Sequence, residues 1–205
     1  MKIKFHPSVL LFLLSLAMFS CTNTSPNSQA ADEPMTTDTA AMNAMPDTSG
    51  VNNDSNSADD ETDALVILNA INQNEIDMAS EAQTKNISRP VKDYAAMLHK
   101  EHSENLNKTR QLASEKGMTL AETNASTEVK NKGGAELNKL KVLEGKDFQA
   151  AYLDAMISGH TEALDKIDNQ LMAMATSEDV RQHLTETRGH VAMHLEKAKQ
   201  LKGSN

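Results

Sequence analysis

The chain has 205 residues, 39% of them apolar and 3% aromatic, and its 29 Asp plus Glu outnumber 20 Lys plus Arg to give a formal charge of −9. That length supports one main domain, and an acidic chain without Trp lacks the basic patch and stacking aromatics that nucleic-acid binding requires. A single cysteine excludes an internal disulfide and a Cys-rich zinc site, so any metal chemistry falls to seven His and the carboxylates.

Residues 1–20 place Lys2 and Lys4 ahead of an apolar run from Val9 to Phe19 broken only by Ser15, the pattern of a secretory leader. The run is shorter than the roughly twenty apolar residues that a bilayer span needs. It closes on Ala17-Met18-Phe19-Ser20-Cys21, which resembles a bacterial lipobox, where the Cys is lipidated and becomes the mature N-terminus. Ordinary cleavage nearby, leaving Cys21 a free thiol, is the alternative. Thr22 stands where an Asp favours inner-membrane retention in proteobacteria, so the resemblance points to the outer membrane. Loss of the leader leaves 18 basic against 29 acidic residues, a charge of −11. Residues 21–60 hold seven acids and no Lys or Arg, and cannot bury enough apolar surface to offset chain entropy. They are expected to form a disordered acidic tether, with Met35, Met42 and Met45 scattered along it rather than forming a soft-metal sink.

From Glu61 to the end, apolar residues recur three and four apart without strand-like alternation, which predicts an all-α domain over 61–205. The first helix is expected over 62–86, with Leu65, Leu68, Ile71, Met78 and Ala82 on one face. Ser88 can cap the second, which starts at Pro90, carries Val91, Ala95, Leu98, Leu106, Thr109 and Leu112, and stops near Gly117. A polar stretch, 118–132, and Gly133-Gly134 lead to a short helical pattern at Leu137, Leu140 and Leu143. Asp147 can cap a third long helix containing Leu153, Met156, Ala163, Ile167, Leu171 and Met174, and Ser177 a fourth containing Val180, Leu184, Thr187, Val191, Ala198 and Leu201. Short links within each pair and a long connection between the pairs suit a four-helix bundle of ferritin type with a crossover. An up-and-down bundle with a decorated loop remains the alternative.

Each apolar stripe is interrupted by one polar residue at an inward position: Glu75, His102, His160 and His194. At 1.5 Å rise per residue, Glu75 and His102 both lie roughly 17 Å from the turn that joins their helices, and the crossover brings His160 and His194 to a similar depth. A buried carboxylate needs a cation or strong donors. Three imidazoles and one carboxylate suit a transition metal, Fe, Zn, Mn or Cu. The alternative is a hydrogen-bonded polar layer in which protonated His neutralises Glu75. His99, Glu101, His183 and His190 are expected on the helix flanks, with Glu186 one turn before His190. Met172, Met174 and Met193 read as core gap-fillers rather than copper ligands. No phosphate loop, Ser-His-Asp arrangement or usable Cys nucleophile is present.

The strings Asn74-Glu75-Ile76, Met97 to His102, Gly145-Lys146-Asp147-Phe148 leading to Tyr152 and His160, and His194-Leu195-Glu196-Lys197-Ala198 resemble an exported bacterial family called domain of unknown function 4142, over about residues 61–202. Its members are often labelled outer membrane proteins and are assigned a ferritin-like bundle. The resemblance therefore implies export and fold, and no settled activity. Glu101-His102 replaces the family's usual Asp-His and keeps the charge. The family's polar pattern falls on Glu75, His102, His160 and His194. Di-iron ferritin-like sites use two Glu-x-x-His pairs, but His99, Ile157 and Val191 precede the three His here, which argues against iron storage. The expected protein is a lipid-anchored envelope component, a metal-binding or stress-related module rather than a classical enzyme, attached to the membrane through Cys21. The other expectations are a structural lipoprotein that engages an envelope protein partner and, third, a small oxidase on a mononuclear site.

Overall fold

A computed structural model describes residues 53–204 of the chain. The expected leader, Cys21 and most of the expected tether lie outside the described residues. Those described are helical and contain no strand, in the order α1 (Asn53–Thr84), α2 (Arg89–Glu115), α3 (Asn124–Lys141) and α4 (Gly145–Lys166). A π-helical segment (Ile167–Leu171) and a single turn, α5 (Met172–Met174), prolong α4, and α6 (Glu178–Gly203) closes the chain. No described helix is long and apolar enough to cross a membrane.

Helix α1 begins before the expected Thr62, inside the segment expected to be tether. Ala58, Asp59 and Asp60 are exposed there, so these residues gave an argument based on burial no signal of a helix. Further along, Ala64, Leu65, Val66, Ile67 and Leu68 are all buried. A helix apolar on every side is an interior one, and α1 packs against both α2 and α3.

Ser88 occupies the N-cap of α2 in extended conformation, with Pro90 in the first turn. The other end closes with Gly117 at φ 68°, Met118 N–H donating to Ala113 O at 2.8 Å and Gly117 N–H to Ser114 O at 3.1 Å. That pair of bonds is a Schellman motif, which glycine reaches without a Cβ penalty.

The largest difference from the sequence expectation is α3. It is a full helix starting at Asn124, not a short one near Leu137, and makes five substantial helices. Its start is held by a capping box: Ser126 N–H donates to Thr123 Oγ1 at 3.2 Å and Thr123 N–H to Ser126 Oγ at 2.9 Å. Gly133, expected to interrupt the chain, lies within α3 because the helix sits close on α1; a Cβ there would fall 2.1 Å from Asn74 Cγ. Asn74 Nδ2 in turn donates to Val129 O at 2.8 Å, tying the two helices together. Gly133→Ala is expected to displace that amide, and the lost hydrogen bond, about 1 kcal/mol, cancels the similar gain that Ala for Gly brings inside a helix, read as a urea midpoint no higher than that of wild type with an unchanged slope.

Glu144, not Asp147, is the N-cap of α4, and Asp147 lies in its first turn, where negative charge favours the helix dipole. Ser177 occupies the N-cap position of α6 as expected, but its side chain makes no capping bond.

Polar contacts fix the helix directions. Glu61 near the start of α1 meets Lys116 after the end of α2, and Lys116 meets Asp179 at the start of α6. Near the opposite end Lys85 Nζ donates to Lys141 O at 2.9 Å and to Glu144 Oε1 at 2.7 Å. Helices α2 and α4 are therefore parallel, and α3 is the crossover that runs beside α1 from one end of the bundle to the other. Two apolar clusters result. One gathers Val91, Tyr94, Leu98, Phe148, Tyr152 and Leu201; the other gathers Leu65, Leu68, Leu112, Ile167, Leu171 and Leu184. The buried polar residues Asn72, Glu75, His102, His160, Thr187 and His194 lie between them.

Candidate metal centre

Four helices each place one of the expected residues in this middle layer: Glu75 on α1, His102 on α2, His160 on α4 and His194 on α6. All four are buried, with at most 4% exposure. The imidazole centroids of His102, His160 and His194 are 5.1 to 5.8 Å apart, and one ring nitrogen of each lies within 4.8 Å of the others. Glu75 is not a member of that close group. It borders α4 instead, where Gly159 leaves room for it: a Cβ at 159 would stand 3.1 Å from Glu75 Oε1.

The far nitrogen of each ring is held by an acceptor, and this fixes the tautomers. Asn72 Nδ2 donates to Leu68 O at 3.0 Å and to Asn105 Oδ1 at 2.8 Å, so its Oδ1 accepts from His102 Nδ1 at 2.9 Å. Met156 O accepts from His160 Nδ1 at 2.6 Å, and Glu101 Oε2 accepts from His194 Nε2 at 2.8 Å. Each ring therefore carries its proton outward. The nitrogens that remain, His102 Nε2, His160 Nε2 and His194 Nδ1, are buried and without a hydrogen-bond partner, as are Glu75 Oε2 and Tyr152 Oη.

Electrostatics favours neutral rings at His102 and His194. Burial lowers the pKa of His102 well below its ordinary value, with His160, His194 and His190 adding to the effect. Burial also lowers His194, against the opposing pull of Glu101. The carboxyl of Glu75 is pushed up by burial, with His160 opposing. Protonation of His102 or His194 as a neutralising partner for Glu75 is thus disfavoured.

Hydrogen bonds extend this arrangement toward the second cluster. Asn105 Nδ2 donates to Thr187 Oγ1 at 2.7 Å, and Thr109 Oγ1 donates to Asn105 O at 2.9 Å. Thr109 Oγ1 in turn accepts from His183 Nε2 at 2.8 Å. His183, expected on a flank, is buried, and burial together with nearby Lys108 takes its pKa down to about 4 against the effect of Glu186. Glu101 is half-buried, not a spectator, since it orients His194. His190 is exposed and His99 half-buried. Met172 and Met174 pack against an apolar cluster as expected, but Met193 is 60% exposed and fills no core gap. The sequence argument missed Asn72 and Asn105, although Asn72 interrupts the same stripe as Glu75 and Asn105 lies one turn beyond His102.

The fold and site together define an all-α bundle whose two antiparallel helix pairs are joined by a crossover and whose core encloses three imidazoles that could hold a metal. The chain belongs to the family described as Domain of unknown function (DUF4142), which it matches over residues 46–201. That match begins upstream of residue 61, in keeping with the early start of α1. No curated protein matches the chain. Among solved structures it is similar to a DUF305 fragment from Deinococcus radiodurans, with a TM-score of 0.64 and 14% identity over 71% of this chain and 97% of that one. At that identity the likeness concerns the fold.

Proposed function

We propose that this is a lipid-anchored cell-envelope protein whose bundle binds one divalent transition-metal cation through His102 Nε2, His160 Nε2 and His194 Nδ1, with Glu75 balancing its charge. The supporting observation is the set of three inward nitrogens without donors. Burying polar atoms unpaired is costly, and a cation satisfies three lone pairs at once. The outer contacts to Asn72, Met156 O and Glu101 are the type that orients metal-binding His and raises its basicity. An all-imidazole donor set with a carboxylate nearby suits Zn, Cu, Fe or Mn, and its geometry decides among them more than raw affinity does. Anchoring through Cys21 at the outer membrane, with the bundle periplasmic or surface-exposed, completes the proposal; its role is that of a binding or stress module.

Elemental analysis of the full chain, purified without tag or chelator and dialysed against trace Fe, Zn, Mn and Cu, tests it. Wild type is expected to retain about one cation per chain and His102→Ala little, given the 10–100-fold or greater loss that disruption of such sites brings. Wild type free of metal would instead leave the Asn72, Asn105 and Thr187 network as a structural polar core in an interaction protein.

A further inference from the structure

The buried imidazoles need a path from solvent, and the molecule has an open cleft on the α2 and α6 side, about 170 Å³ in volume, whose lining includes Glu101, His102, His190, Val191 and His194. His160 and Glu75 are not part of that lining, so the cleft reaches the inner group from one direction. Across it, side-chain exposure falls from 55% at His190 to 30% at Glu101 and 3% at His194. Glu101 Oε2 stands 3.3 Å from His190 Nδ1 and 2.8 Å from His194 Nε2. One donor atom from each of Glu101, His190 and His194 lies within 4.8 Å of the others. Two groups of ligand-type residues therefore share a single ring, His194, which presents one nitrogen inward and the other toward the cleft.

We propose that Glu101 and His190, completed by the outward nitrogen of His194, form a capture site for a divalent transition-metal cation, which then passes to His102, His160 and His194 inside. This rests on the buried site proposed above. A carboxylate and two imidazoles suit the same borderline cations as the inner group. A carboxylate at a cleft mouth also concentrates cations locally and speeds their arrival. The proton count balances with no other reactant. The His194 ring keeps one proton throughout: on Nδ1 while Nε2 binds the captured cation, and on Nε2, bonded to Glu101, once Nδ1 binds it inside. The two sites therefore exclude each other, and the chain holds one cation at a time.

The test is stopped-flow binding of Co²⁺ to the full chain, followed by its visible absorption. His190→Ala is expected to slow loading about tenfold by removing one of the three capture ligands, the order of effect a lost partner has on a metal site, while the final stoichiometry stays at about one, as for a single inner site. A His102→Ala/His160→Ala double variant, checked for helix content, is expected to keep weak, rapidly exchanging Co²⁺, and further His190→Ala to remove it. An unchanged loading rate in His190→Ala, or a double variant that binds no Co²⁺, overturns the capture site and marks Glu101 and His190 as a surface ion pair. Two cations per chain at saturation overturns the exclusion. Failure of the buried site has a different signature, wild type no tighter for Co²⁺ than the double variant.

Discussion

Saturating Zn²⁺ or Cu²⁺ is expected to raise the melting temperature of the full chain, and His160→Leu to abolish that rise while leaving the metal-free protein at least as stable as wild type. At a hundredfold excess over Kd, a ligand that binds only the folded state contributes about 2.7 kcal/mol, or roughly 5–10 °C for a domain of this size. The second half of the expectation separates a ligand site from an ordinary core. Truncating a well-packed buried residue costs stability, but His160 Nε2 is an unpaired buried atom beside two others. A leucine removes that unpaired atom and adds apolar contact, and such replacements are often neutral or stabilising. Calorimetry with and without each cation reads both effects. Loss of several degrees in metal-free His160→Leu would mean that the imidazole is structural, and no rise in wild type with any of Fe, Zn, Mn or Cu would remove the metal proposal.

The second large effect belongs to Glu61, at the end of the bundle away from Lys85. Glu61 Oε2 accepts from Thr176 N–H at 2.7 Å, Thr176 Oγ1 at 2.8 Å and Ser177 N–H at 2.6 Å, and Glu61 Oε1 accepts from Ser177 Oγ at 2.6 Å. One α1 carboxylate thus ties down Thr176 and the N-cap residue Ser177, the two residues that lead into α6, from a distant part of the chain. Glu61→Ala is expected to cost about 3 kcal/mol, the upper end for hydrogen bonds to a charged group. Its pH dependence follows from the carboxyl's lowered pKa: burial raises it, and the bonds from Ser177 and Thr176 more than reverse that. A depressed folded value means the contribution is whole above the ordinary 4.5 and fades as pH falls through the lower folded value. Urea titrations should show Glu61→Gln losing stability at pH 7 and showing a flatter acid limb than wild type. A steeper limb in the Gln form would show that some other carboxylate governs acid unfolding.

The four inward residues were legible because α-helical period and rise are local geometry: a polar residue that interrupts a stripe points inward, and counting from a turn gives its depth. That placed His102, His160 and His194 at one level before any contact was known. What period cannot give is azimuth to within a residue. Glu101 is adjacent to His102 but lies about 100° round the helix, and only the packing of α6 against α2 turns that offset into a bond with His194. His183 failed for the same reason, since Val180, Leu184 and Thr187 were assigned the core stripe and the broad buried face of α6 takes in their neighbour as well. Helix α3 was hidden because its polar stretch looks like a loop until Thr123 and Ser126 are recognised as a capping pair and Gly133 as the residue that lets it approach α1.

The division of the core into two apolar clusters with polar atoms between them bears on how the molecule breathes. Each end has its own clasp, Glu61 on Thr176 and Ser177 ahead of α6 and Lys85 on the last carbonyl of α3, while the layer between the clusters holds several unpaired buried polar atoms. Helices ordinarily fray from their tips inward, and cooperative opening units follow the poorest local cohesion. Here the weakest cross-section lies halfway along. Backbone amides around His102, His160 and His194 are therefore the place for rapid hydrogen exchange in the metal-free state, slowing when a cation spans the gap. The same helices run through two apolar halves, and the site is the joint between them.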